Sequence, residues 1–456
     1  MNKTNKIIRG LLFCYVTFYM ASFFFPLPNA KEISSFLMFL ILGFSLPSIR
    51  SFSRNVCLAF FLIGLSIFLF TGAPWQKIFF SIGENGGLLA LFVLIPIMAM
   101  PFFYDDYQGE LGNITRRYTS SVVPFLLFIL LSCHFLALMV FAGCFVILYH
   151  LFVKQAKEYS CTPLFHIALL QGYMSAGFWG PVWPPASIIP NRLGLSWLDV
   201  MPIGVIFSSL MLLGAGICLW RTVENNPQLY PRFLPDKSVS VDWQRVRTLG
   251  LLAAALVIGI VLVNYMTRWS MFIIVPLTSV PFAFFTALIQ NKMDKLKSGA
   301  VAYYKEGIVS TKAEFCLFIV AGFLGAAIEY SNAGEFVVQF LPEAFFQYPA
   351  LVALSIIAFL MITSFIGVHP IVSAPSLALA LSAEHIGLNQ LSFSLTLLSG
   401  WVLGLTVSPF SSGIMLLAAL AQKTPWEIGP FANWKFAAGM AVVFSLAVSL
   451  LHSMTS

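Results

Sequence analysis

The sequence predicts an all-α, polytopic membrane protein with about 11–13 transmembrane segments. They form two inverted repeats, each with a re-entrant hairpin and a broken helix. Three observations lead there. Of 456 residues, 59% are hydrophobic and only 9% charged, and the mean hydropathy is +0.89; a soluble domain carries about a quarter charged residues. The apolar runs are continuous rather than alternating, which argues against a membrane β-barrel. Pro/Gly clusters interrupt the apolar sequence at corresponding places in two halves, the mark of a repeat transporter.

The net charge of +7 resides in short loops between apolar runs, as the positive-inside rule expects, so no nucleic-acid partner is indicated. The seven cysteines form no CxxC and no zinc spacing. The N-terminus, basic and then apolar, resembles a signal peptide. It lacks a small-x-small cleavage site and reads as a first span entering from the cytoplasm; the expected location is the inner membrane of a bacterium.

In chain order, candidate spans cover 8–25, 33–49, 56–72 and 83–100. Arg50 and Arg54 close the second, and Arg116 and Arg117 follow the fourth. A cytoplasmic N-terminus puts both basic pairs on the cytoplasmic side. The polar loop Tyr104–Arg117 ends this group of peripheral helices, residues 1–117. The first transport repeat is expected over 118–220. Its apolar run 119–153 exceeds one span and predicts two helices or a helix plus a re-entrant hairpin. A helix at 163–177 and a span at 200–220 follow. The polar stretch 221–247 holds Arg221, Arg232, Lys237, Arg245 and Arg247 and reads as a cytoplasmic linker. The second repeat, 248–456, has spans at 248–266, 269–290, 313–329, 348–366 and 436–451.

The most informative stretch is Gly172–Asp199. Pro181, Pro184, Pro185 and Pro190 remove backbone donors and clash with the preceding turn, so it cannot be one regular helix. Broken backbone at membrane depth is tolerated only where protein buries it or it lines a wet cavity. A partner segment lies at Gly404–Glu427. Gly180 stands five residues before Pro185 and seven before Ser187; Gly404 stands at the same distances from Pro409 and Ser411. Trp197 and Asp199 follow the first break, Trp426 and Glu427 the second, and each then enters a helix through a proline, Pro202 or Pro430.

The segment 172–206 resembles the large membrane subunit of tripartite ATP-independent periplasmic (TRAP) transporters, in which a Gly-Tyr helix leads to a Gly and a Pro-Pro-Ser motif. Residues 367–430 are similar to that subunit's C-terminal segment. The broader group is the ion transporter superfamily of dicarboxylate, citrate and sodium/proton carriers. Ala186 splits the Pro-Pro-Ser here, and Ser408-Pro409-Phe410-Ser411 stands in place of the family's Pro-Pro-Val-Gly. Ser132–Ala137 is a weak match to the first hairpin tip. Ser331-Asn332-Ala333-Gly334 fits the position of the second, where the superfamily often holds sodium.

Half-helix N-termini attract anions, and freed carbonyls attract cations. Ser187, Arg192, His369 and Ser411 are therefore the expected substrate-binding residues. Ser331, Asn332, Ser408 and Ser412 offer neutral oxygens to a sodium ion. Glu329 and His134 are candidates for proton coupling, as ionisable groups within apolar sequence. Each also has a plainer role: a hydroxyl can satisfy loosened backbone, Arg192 can snorkel to the interface, and a histidine can bond a nearby carbonyl.

These features predict a secondary transporter of a small carboxylate-like anion, coupled to sodium or protons and working by alternating access. No cofactor beyond a sodium ion is expected, and a homodimer or a small membrane partner subunit fits. A non-transporting or degenerate scaffold is the alternative. An intramembrane enzyme fits less well, since no HExxH or GxSxG occurs.

Overall fold

The computed structural model describes residues 3–49, 51–104, 107–230, 235–331 and 343–455. All regular structure in them is helical, and eleven helices are long and apolar enough to cross a membrane. The protein is a polytopic α-helical membrane protein. Its helices fall into two compact units, each built from separated segments: residues 1–101, 269–343 and 371–386 in one, and 102–268, 344–370 and 387–456 in the other.

The first unit contains α1 (Lys3–Phe24), α2 (Ala30–Ser45), α3 (Ser51–Phe70), α4 (Trp75–Ser81) and α5 (Gly86–Ala99). It also takes in α13 (Met271–Ile289), α14 (Met293–Ala302), α15 (Lys312–Tyr330) and most of α17 (Pro370–Ala380). Its core helix is α15, buried at nearly every position from Phe315 to Ala327. Asn85, at the start of α5, donates to the Phe318 carbonyl at 2.9 Å, so a buried amide is matched to buried backbone. Arg9 in α1 is buried and donates to the Lys305 carbonyl at 2.9 Å, within the π-turn Tyr303–Gly307.

The second unit contains α6 (Tyr107–Tyr118), α7 (Val122–Val140), α8 (Gly143–Glu158), α9 (Thr162–Ser175), α10 (Pro184–Arg192), α11 (Trp197–Glu224) and α12 (Trp243–Thr267). It continues in α16 (Pro349–Phe365), α18 (Gln390–Val407), α19 (Ser412–Ala421) and α20 (Ala432–Thr455). The run 119–153 forms two helices, α7 and α8, joined where Phe141 adopts φ 50°. With 16 residues α8 is too short to join the spanning helices.

The core of this unit is α18, buried from Ser392 to Val407. It packs on α16, α20, α9 and α10. The order helix, break, short helix, turn, long helix occurs twice, in α9–α10–α11 and in α18–α19–α20. Both halves use a glycine to bring backbones together. A Cβ on Gly172 would overlap the Leu130 carbonyl oxygen of α7, and one on Gly404 would lie 3.0 Å from the Leu360 carbonyl oxygen of α16.

Candidate functional site: two helix breaks that meet

The first break begins as α9 tightens into a 3-10 turn at Ala176–Phe178. The chain resumes as α10, with Pro184 and Pro185 in its first turn, where helical N–H groups need no intrahelical partner. Trp183 before them is extended, as a residue preceding proline prefers. Gly194, with φ +71°, ends this turn. Ser196 and Asp199 then form a capping box that starts α11.

The second break follows Val407. Ser408 leaves the helical conformation and its hydroxyl donates to the Ser364 carbonyl at 2.6 Å. Ser411 precedes α19 without a side-chain cap bond. A π-turn at Glu427–Phe431, with Pro430 inside it, then leads into α20.

The helices flanking the two breaks touch. Tyr173 in the last turn of α9 packs against Trp183 with ring centroids 4.5 Å apart, and against Phe145 at the same separation. Phe141 closes the cluster 4.9 Å from Trp183. Gly413 of α19 lies against it, since a Cβ there would be 2.9 Å from the Tyr173 ring and 3.3 Å from that of Phe145. Trp183 donates to the Ala137 carbonyl at 3.1 Å, anchoring the first break to α7 as Ser408 anchors the second to α16.

The residues expected from sequence distribute as follows. Ser187 is buried in the first turn of α10 and donates to the Pro181 carbonyl at 3.2 Å. Arg192 is half-buried in the last turn of α10, where a cation complements the helix dipole. Ser408 and Ser411 are buried, and Ser412 is exposed. His369 is half-buried in the break between α16 and α17. His134 is buried on α7, with Nδ1 2.8 Å from the Ser175 hydroxyl. Two fall in the other unit: Glu329, exposed in the last turn of α15, and Ser331, whose hydroxyl donates to the Ile328 carbonyl at 2.8 Å. Asn332 lies outside the described residues.

Sequence reasoning missed Tyr173, Phe141, Phe145 and Ser175 as site residues. It also missed Gln171, which donates to Asn433 at 3.0 Å while its own carbonyl oxygen is buried without a partner. Asn433 in turn donates to the carbonyls of Ile428 and Gly429 in the π-turn. With aromatics at 15% of the chain, nothing local marks these three rings. The Gln171–Asn433 pair spans 262 positions and has no short-range signature. Among the described residues no group of three or more His, Cys, Asp or Glu side chains converges.

No protein-family model matches the chain, and no curated protein matches it. Among solved structures, it is similar in fold to the YdaH transporter of Alcanivorax borkumensis, whose crystal structure is described as having an unusual topology. The TM-score is 0.52 at 12% identity, over 88% of this chain and 98% of that one.

Proposed function

We propose that this chain is a secondary active transporter of a small carboxylate-like organic anion across the cytoplasmic membrane. It works by alternating access of two inverted repeats, coupled to sodium or protons. The observation that carries this reading is the meeting of the two breaks at Tyr173 and Gly413. Interrupted helices of this kind supply substrate and ion sites near the bilayer midplane in secondary carriers. A solved neighbour in fold that is itself a transporter supports it.

The anion is best received at the start of α19. Ser411 leaves the first-turn N–H groups of that helix without a side-chain cap, and such groups attract negative charge. The first turn of α10 offers fewer, because Pro184 and Pro185 lack an N–H. Ser187, Arg192 and His369 complete the proposed substrate set. Ser331 and Asn332 in one unit, and Ser408 and Ser412 in the other, are each proposed as sodium contacts, with Glu329 and His134 as the proton candidates. A homodimer or a small membrane partner subunit would complete the assembly.

The test is uptake of labelled carboxylates into proteoliposomes under an imposed sodium or proton gradient. Accumulation above equilibrium, weakened by Asn332→Ala, is the expected result. One observation favours a non-transporting scaffold instead: the Ser187 and Ser408 hydroxyls both donate to backbone carbonyls. Absence of gradient-driven uptake across a broad anion panel would establish that second reading.

A further inference from the structure

The hydrogen bonds around His134 define a preferred tautomer of its ring. Ser175 has one hydroxyl hydrogen, and it donates to the Gly172 carbonyl at 2.7 Å. With that hydrogen on Gly172, Ser175 accepts from His134 Nδ1, 2.8 Å away. That places the imidazole hydrogen on Nδ1 and leaves Nε2 as the ring's acceptor. The relay ends on Gly172, whose α-carbon is pressed against the Leu130 carbonyl of α7. The ring itself lies 5.9 Å from that of Trp179, in the first break. The Trp179 carbonyl in turn accepts from Trp197 at the start of α11.

The surroundings are otherwise uncharged. From α9 the ring meets Ser175, from the break Trp179, and from α7 its neighbour Phe135. Cys144 of α8 pairs with Cys133. Asp199 of α11 is engaged with Ser196 and Arg268.

Resting on the transporter reading above, we propose that His134 is the proton-carrying residue of this protein, with Ser175 as its positioning residue. A proton from one side binds the Nε2 lone pair, turning imidazole into imidazolium with both ring nitrogens donating. Its release on the other side restores the neutral ring, and no other bond changes. The charge appears and disappears beside the first helix break, so proton uptake is tied to the segment that would have to move.

The test uses intrinsic tryptophan fluorescence of the purified full chain, because imidazolium next to an indole quenches it. Titration between about pH 4 and pH 8 should give a step in the wild type that vanishes in His134→Gln, which keeps a donor for Ser175, and in Trp179→Phe. Ser175→Ala removes the acceptor that favours the charged ring and should shift the step to lower pH. In sodium-free proteoliposomes, His134→Gln should lose proton-driven uptake, whereas Trp179→Phe, which retains the ring, should keep it. A fluorescence profile unchanged by His134→Gln overturns the proposal, as does proton-driven uptake that survives it. A wild type that transports no anion yet shows the His134-dependent step overturns the transporter reading while upholding the proton site.

Discussion

Gly413 of α19 lies against the ring of Tyr173 of α9, so that the second helix break is seated on the side chain that closes the first. A methyl group on Gly413 would come within 2.9 Å of that ring and 3.3 Å of Phe145. Tyr173 is itself held by Trp183. Overpacking of this kind costs about 1–3 kcal/mol. Gly413→Ala should lower the melting temperature of the detergent-solubilised protein by several degrees; an unchanged melt would mean the two breaks are not in contact.

Gly172→Ala should be more damaging than Gly404→Ala. The first places a methyl on the Leu130 carbonyl oxygen, part of the α7 backbone, and the second brings one to 3.0 Å from the Leu360 carbonyl oxygen. Backbone cannot step aside as a side-chain tip can. The expected order in yield of monodisperse protein is wild type, then Gly404→Ala, then Gly172→Ala, and the reverse order for the two variants would contradict this packing.

Asn433→Ala should cost about 2–4 kcal/mol, because it strands the Gln171 amide and frees two carbonyls of the π-turn. Gln171→Leu should cost less, since it also removes a carbonyl oxygen already buried without a partner. Thermal melting ranks the two; equal losses would show that the orphaned oxygen is satisfied in the membrane.

The start of α11 separates a cap from an ion pair. Asp199 accepts from the Ser196 N–H at 2.8 Å and also faces Arg268 at 3.4 Å, with both charged side chains about half exposed. Exposed pairs contribute about 0–1 kcal/mol, whereas losing a cap costs about 1 kcal/mol. Arg268→Gln should therefore barely change the melting temperature, and Asp199→Ala should lower it. A larger effect from Arg268 would invert this assignment.

Much of the fold was legible because the membrane simplifies it. Apolar runs of span length had to become helices, and the prolines at 184, 185 and 409 had to interrupt them. The two breaks were therefore found at Trp179–Trp183 and Ser408–Ser411. The ambiguity over 119–153 was of a different kind: no proline marks the turn at Phe141, which is set by packing against Tyr173 and Trp183. The partners of the expected hydroxyls were equally hidden. Ser408 reaches Ser364 across 44 positions, and periodicity carries no information about such a pairing. Nor does it show that α15 and α18 belong to different compact units.

The two short helices have nine and ten residues, about 14–15 Å of rise, which is about half the hydrocarbon thickness of a bilayer. Each is therefore too short for a full crossing. Polarity there is written largely in the main chain, by where an N–H or a Cβ is missing, rather than in charged side chains.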